Sequence, residues 1–315
     1  MTQEIVTISD AATGARAKIL PGRGFNCFSF LAPAKATPLE VLWSVADFAE
    51  GGGRPSGSGI PLMFPFAGRI RGVSFEYQGK SYPLQAGDGI GNAIHGFVID
   101  RPWRVTARAA DRVTGEFQAS MDDPSLLKNW PADFRITAEY RLADGKLISD
   151  YTIENSDTKP LPFGFGTHPY FRLPLGGMNA ADCRVRVPIG SNWNLEGLLP
   201  TGVKSNPPLV GELSRGMPSG EMKLDHVFGD VQFDNHRATA TVYDPLGKNT
   251  LKMTFDDQFT ACVVYNPPHR EAVCIEPYTT VPDAFTLAAR GIDPHLIVLP
   301  PGKVFRTRIE ISLND

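Results

Sequence analysis

What the chain lacks narrows its possible functions first. It has four cysteines in 315 residues, at positions 27, 183, 262 and 274, and no two form a C-x-x-C pair. That spacing excludes a zinc ribbon and a thioredoxin-type redox motif. The first ten residues, MTQEIVTISD, have neither a basic start nor an apolar run, so they do not read as a secretory leader. The expectation is four reduced thiols, buried in strands, in a cytoplasmic protein. No stretch approaches the roughly 18 apolar residues of a spanning helix, so no membrane is expected as a partner. An excess of positive charge is missing too. With 31 basic against 34 acidic residues the formal net charge is −3, and no concentrated basic surface is on offer to nucleic acid. There is no G-x-S-x-G element, βαβ alternation, heptad or internal repeat.

Turn-forming residues, by contrast, are abundant. Glycine supplies 31 and proline 27 of the 315 residues, above the usual shares of about 7% and 5%. Punctuation that dense leaves little room for long helices and favours many short strands. Period-two alternation bears this out: Phe134, Ile136, Ala138, Tyr140 and Leu142 alternate with polar residues, and Asp144-Gly145 offers a positive-φ turn back into 146–154. Further hairpins are expected for 237–243 with 250–255, and for 73–77 with 80–84. Other strands are expected at 5–9, 15–20, 25–31, 103–109, 113–120, 259–265, 272–276 and 303–312. One helix is expected over 125–130, with Asp123 as its N-cap and Pro124 at its first position. The stretch 50–59 (EGGGRPSGSG) reads as a flexible surface loop, because Ile60-Pro61 and Pro65 follow where a phosphate-binding loop would need a helix. The length suits two domains of about 150 residues or one large β domain. Uniform strand texture selects one domain, residues 1–315, built as a large antiparallel β-sandwich.

Nucleophilic and metal chemistry find little support. His226 and His236 lie ten residues apart with Asp225 beside them, but nothing local brings them together, so neither a metal site nor a cofactor is expected. More informative are five polar residues set among aromatic, apolar or Gly/Pro-rich neighbours. They are Arg69, His95, His168, Asp225 and Glu276. Each has an ordinary alternative: a surface ion pair, a turn residue, a structural histidine, a cap, and a strand-end salt bridge.

Taken together and in order, these elements carry more. Gly68-Arg69-Ile70 is followed by a hairpin with Gly79-Lys80-x-Tyr82-x-Leu84, then Ile94-His95-Gly96-Phe97. Thr167-His168-Pro169-Tyr170-Phe171, Leu224-Asp225-His226-Val227-Phe228, and Glu276-Pro277 with Pro282-Asp283-Ala284 complete the series. In this pattern the chain resembles the aldose 1-epimerase (galactose mutarotase) family from about residue 20 to the C-terminus. The resemblance implies a β-sandwich of the supersandwich type with a sugar site on one concave face, and no metal or cofactor. Residue by residue, it assigns Glu276 as general base and His168 as general acid. Arg69, His95 and Asp225 are assigned to hold the sugar, and Tyr170, Phe171, Phe97 and Tyr278 are candidates for an aromatic platform beneath it. The chain departs from the family pattern at Gly68, Thr167 and Arg172, where Asn is frequent, and at Tyr278, where Gln is frequent.

The expected partner is a small-molecule sugar, and the expected assembly a monomer or homodimer. The leading reading is interconversion of the α and β anomers of an aldose. A hexose-6-phosphate 1-epimerase is an alternative if Arg71, Arg101, Arg104 or Arg172 converge on the site. A non-catalytic sugar-binding protein on the same fold is another. The acid–base reading asks for a carboxylate whose pKa is raised by partial burial and an imidazolium favoured by a nearby acid, hence an optimum near neutral pH.

Overall fold

The computed structural model describes residues 3–35 and 37–314. The clearest alternation in the sequence becomes its most regular element. Strands Phe134–Ala143 and Lys146–Asn155 pair without interruption from Phe134↔Asn155 to Ala143↔Lys146, turning at Asp144 (φ 53°) and Gly145 (φ 75°). One face of Phe134–Ala143 is buried at every second residue, as a half-buried strand requires. This hairpin sits within a nine-stranded antiparallel sheet. The sheet continues outward through Arg112–Gln118 to Arg104–Arg108, and on the other side through Val304–Leu313, Asn249–Asp256 and Arg237–Asp244 to Arg184–Arg186 and Met217–Pro218.

A second, eight-stranded sheet packs against it. Its path runs Leu199–Ser205, Ser191–Glu196, Asp225–Gly229, Ala261–Tyr265, Ala272–Tyr278, Gly166–Thr167 and Leu62–Met63, with Tyr170–Arg172 also paired to Ala272–Tyr278. Ring contacts tie the two layers together: Phe64 meets Phe134 edge-on at 4.8 Å, and Tyr151 meets Phe165 at 4.8 Å. Four N-terminal strands, Val6–Ser9, Arg16–Leu20, Asn26–Ala32 and Leu39–Glu40, form a further sheet whose apolar residues join the same core. Antiparallel strands dominate the molecule, which is the β-sandwich expected from composition.

Helix was read less well. The segment after Asp123 is a 3₁₀ turn, Pro124–Lys128, rather than an α-helix, with the Asp123 carboxylate accepting from Ser125 N–H at 3.2 Å. Five residues closed off by Pro131 are too few for an α ladder to propagate. Among the described residues, three short α-helices were not anticipated: Ala119–Asp122, which takes the end of an expected strand, Pro208–Arg215 and Ala284–Ala289. Strands Ser191–Glu196, Leu199–Ser205 and Asp225–Gly229 also escaped notice, because their burial does not alternate cleanly.

All four cysteines are buried and none forms a disulfide. No helix among the described residues is long and apolar enough to cross a membrane.

Candidate active site

The strand Ala272–Tyr278 is buried at every position, so any polar side chain on it must find a partner inside the protein. Glu276 is 1% exposed. Opposite it runs the chain from Gly166–Thr167 to Tyr170–Arg172, with Gly166 paired to Tyr278 and Tyr170 to Cys274. That register brackets His168 directly across from Glu276. The backbone N–H of His168 donates to Pro61 O at 3.0 Å, and its Nε2 stands 3.3 Å from Glu276 Oε1. The ring of Tyr170 stacks on that of His168 at 4.8 Å, with 5° between the planes. Residues 108 positions apart in sequence thus become a buried acid–base pair.

Arg69 reaches this pair from the short strand Arg69–Ile70, which pairs with Ala93–Ile94. Its Nε donates to Asp88 Oδ2 at 3.2 Å, and its guanidinium lies 4.0 Å from Asp225 Oδ2. Burial works to raise Asp88, but hydrogen bonds from Asn92 and Ile90 and the Arg69 charge outweigh it, bringing its pKa down to about 2. Asp88 is therefore ionised and anchors Arg69; as a glycine-flanked loop residue it gave no signal in sequence. His95, just beyond the pairing, adopts φ 65°, a left-handed conformation held by its N–H bonding to Gly68 O at 2.9 Å. Its ring meets His168 edge-on at 5.5 Å, and its Nδ1 has no partner.

Burial lowers His95 well below the ordinary histidine range, aided by His168 and Arg69. Burial likewise lowers His168, to about 3. Glu276 moves the opposite way, raised well above the usual carboxylate range by burial, with the hydrogen bond from Tyr278 opposing. An imidazolium at rest was the expectation from sequence. Desolvation dominates instead, and burial favours the neutral form of both groups.

Glu276, His168, Arg69, His95, Asp225 and Tyr170 all line one cavity of about 410 Å³. Tyr278 belongs to its wall as well, whereas two of the aromatic platform candidates do not. Phe171 points away into the core with no exposure, as alternation from Tyr170 demands, and Phe97 packs against Phe66 and Trp130. Their places are taken by Trp43, which stacks on His269 at 4.1 Å, and by Tyr265. Arg54, Ser56 and Gly57 also line the cavity, so the Gly-rich stretch contributes to the wall. The buried guanidinium of Arg23 ties that loop down by donating to Phe48 O at 3.1 Å and to Gly52 O and Gly53 O at 2.8 Å.

None of Arg71, Arg101, Arg104 and Arg172 lines the cavity. Arg71 pairs with Asp283, Arg101 with Asp123, and Arg104 with Glu116 and Asp122. His226 faces away from the cavity beside Phe228, and His236 pairs with Asp257. Among the described residues, one set of three potential metal ligands clusters within 4.8 Å: His168, Cys274 and Glu276. Cys274 is held behind Tyr170 with no exposure.

The order and placement of these elements match a known family over nearly the whole length: the model of aldose 1-epimerase covers residues 6–312. The chain belongs to the aldose 1-epimerase family. Within its wider kinship, the chain is 24% identical over 248 residues to the uncharacterized protein YihR of Escherichia coli K12, spanning 78% of this chain and 76% of that one. Its fold is similar to a galactose mutarotase-like protein from Clostridium acetobutylicum, with a TM-score of 0.84 and 21% identity over 99% of this chain and 98% of the other. It also resembles galactose 1-epimerase from Lactobacillus acidophilus, with a TM-score of 0.74 and 18% identity over 99% of each chain. At such identities the likeness concerns the fold. The family's epimerase or mutarotase character fits a sugar-sized cavity lined with polar groups and aromatic rings.

Proposed function

We propose that this protein is an aldose 1-epimerase acting on a free aldose, with Glu276 and His168 exchanging protons at the anomeric centre. One observation carries the reading: a buried carboxyl and imidazole, 3.3 Å apart, at the wall of a cavity of about 410 Å³. In ring opening, Glu276 as carboxylate takes the proton of the C1 hydroxyl while His168 as imidazolium protonates the ring oxygen. The C1–O5 bond breaks with its electron pair going to O5, and C1 becomes the carbonyl carbon. Rotation about C1–C2 and the reverse proton transfers give the other anomer. Each positioned acid–base group typically contributes about 10²–10⁴ in rate.

Burial supports this sequence of proton states. The resting pair, carboxylic acid with neutral imidazole, is also the pair left once the sugar ring has opened. The charged pair needed to begin opening is its tautomer and carries the same single proton. Opening thus annihilates two charges in a site where charge is costly. Because the two pKa values are driven apart, the single-proton form spans a broad range rather than a narrow neutral optimum. Arg69, His95, Asp225 and Tyr170 are the proposed sugar-holding groups, with Tyr170 and Trp43 offering faces to the apolar side of a pyranose. A phosphate ester asks for several convergent cations; Arg71, Arg101 and Arg104 are paired elsewhere and Arg172 lies outside the wall, which leaves Arg54 there beside Arg69, already engaged by Asp88 and Asp225. A free sugar therefore fits this wall better.

The test is polarimetric decay of freshly dissolved α-D-glucose and α-D-galactose, with glucose 6-phosphate followed by NMR, for wild type beside Glu276→Gln. Acceleration of a free hexose by wild type alone supports the proposal. Acceleration of the phosphate ester alone replaces the substrate assignment. Binding of sugar without acceleration replaces catalysis with a binding role.

A further inference from the structure

Glu276 has a second partner whose seat in the fold is unusually well prepared. The Tyr278 hydroxyl donates to Glu276 Oε2 at 2.7 Å, leaving Oε1 to His168. Two residues apart on one strand, the side chains share a face, and the phenol leans back along the strand to reach the carboxyl. The ring is 1% exposed and its hydroxyl also approaches Met63 Sδ at 3.8 Å.

Two glycines make the space for that ring. A Cβ at Gly166 would stand 2.6 Å from Tyr278 Cδ1, nearer than side chains tolerate. A Cβ at Gly68 would stand 3.2 Å from Tyr278 Cε2 and 2.8 Å from Pro282 Cγ. The absent side chains at Gly166 and Gly68 thus leave room for the ring, with Pro282 closing the Gly68 side.

We propose that Tyr278, seated in the slot left by Gly68 and Gly166, is a positioning residue that fixes the Glu276 carboxyl and stabilises its ionised form. The proposal rests on the epimerase reading for its kinetic consequence and on geometry alone for its structural one. With Oε2 tied to the phenol, Oε1 is kept toward His168 and the sugar. The bond is charge-assisted only when Glu276 is a carboxylate, so it favours the charged tautomer that begins ring opening.

The other groups facing Glu276 leave that role to Tyr278. Arg69 also favours the carboxylate, but from farther away and shared with Asp88 and Asp225; Asp225 opposes it. His168, with His95 behind it, is kept neutral by burial. Tyr170, Tyr265, Cys262 and Cys274 are all raised by burial and stay protonated. Tyr278 is itself raised well above the ordinary phenol range by burial and by Glu276, and so remains a donor.

Tyr278→Phe keeps the ring in its slot and removes one oxygen. The Glu276 carboxyl is titrated by infrared difference spectroscopy in sugar-free protein, its band assigned by its loss in Glu276→Gln. Removing a donor from the carboxylate raises its proton affinity, and the midpoint should rise by about one to two pH units. The basic-side fall of the mutarotation rate should move up with it, because the pair then keeps its last proton to higher pH. At neutral pH, kcat should fall about tenfold or more with little change in KM, the mark of an interaction that matters in the transition state. Replacing Tyr278 by 3-fluorotyrosine, a stronger donor of nearly the same shape, should move the carboxyl midpoint down. If neither replacement moves the midpoint, and Tyr278→Phe lowers only the melting temperature, Tyr278 is structural and the proposal is overturned. A shifted midpoint in a protein that accelerates no sugar would overturn the epimerase reading while the positioning role stands.

Discussion

The two large sheets face the same core, yet they treat polar groups in opposite ways. In the nine-stranded sheet, charges lie on the wet face and are matched across strands. Arg308 forks onto Asp150 at 2.6 and 2.9 Å, Arg237 meets Glu310 at 2.7 Å, and Arg104 meets Glu116 at 2.8 Å. In the eight-stranded sheet, a carboxyl and an imidazole are buried together, and His168 Nδ1, like Nδ1 of the neighbouring His95, has no partner. These charges in the first sheet are already matched by one another. Those in the second are held at a cost and left for something else to complete. Such unsatisfied groups concentrate where a protein binds or reacts.

The strongest way to break this contrast is Glu276→Gln. It should reduce mutarotation about 10²–10⁴-fold by polarimetry while sugar still binds in calorimetry. It should also raise the melting temperature at pH 7. Because burial raises Glu276 in the folded state, the fold holds more protons than the unfolded chain above about pH 4.3, and stability falls as pH rises beyond that point. Gln removes that loss, so the gain should vanish near pH 4. A destabilised Gln variant would place Glu276 among the structural ion pairs and erase the contrast.

His168→Gln should cost about 10²-fold or more in rate. It should also remove the stabilisation that wild type gains between about pH 3 and pH 6.5, as the unfolded histidine sheds its proton while the buried one is already neutral. Thermal melts across that window would read it. Asp88→Asn should act more mildly: losing the anchor lets Arg69 swing, raising KM about tenfold in steady-state kinetics with a smaller effect on kcat. The smallest effect belongs to the other sheet. Asp150→Asn, which weakens a half-exposed pair with Arg308, should change unfolding free energy by about 1 kcal/mol or less and leave mutarotation untouched.

How far the sequence could be read differed along the same line. Seven strands of the nine-stranded sheet were legible because they alternate and turn at Asp144-Gly145 and at 244–247, which are local signals; the short edge strands Arg184–Arg186 and Met217–Pro218 were not. Ser191–Glu196 and Asp225–Gly229 were not, since strands buried without alternation lose the period that reveals them. Within the site, His168 and Glu276 stood out through their neighbours and through the family resemblance. Asp88, Trp43, Tyr265 and Arg54 did not, because nothing local tells a loop acid or a strand aromatic that it will face a cavity. Phe171 and Phe97 were offered for the cavity and went to the core. One residue of register separates Tyr170 from Phe171, and that step reverses the face.

Composition and alternation by themselves determined that this chain would be a β protein rich in turns, without a spanning helix or a basic face, because those properties depend on residue type and on spacing over a few positions. The tertiary structure alone decided that His168 would stand 3.3 Å from Glu276, that burial would favour the neutral form of both, and that Gly68 and Gly166 would clear a slot for Tyr278. Those outcomes depend on strand register and on exclusion of water between segments far apart in the chain. They are set only when the strands pair.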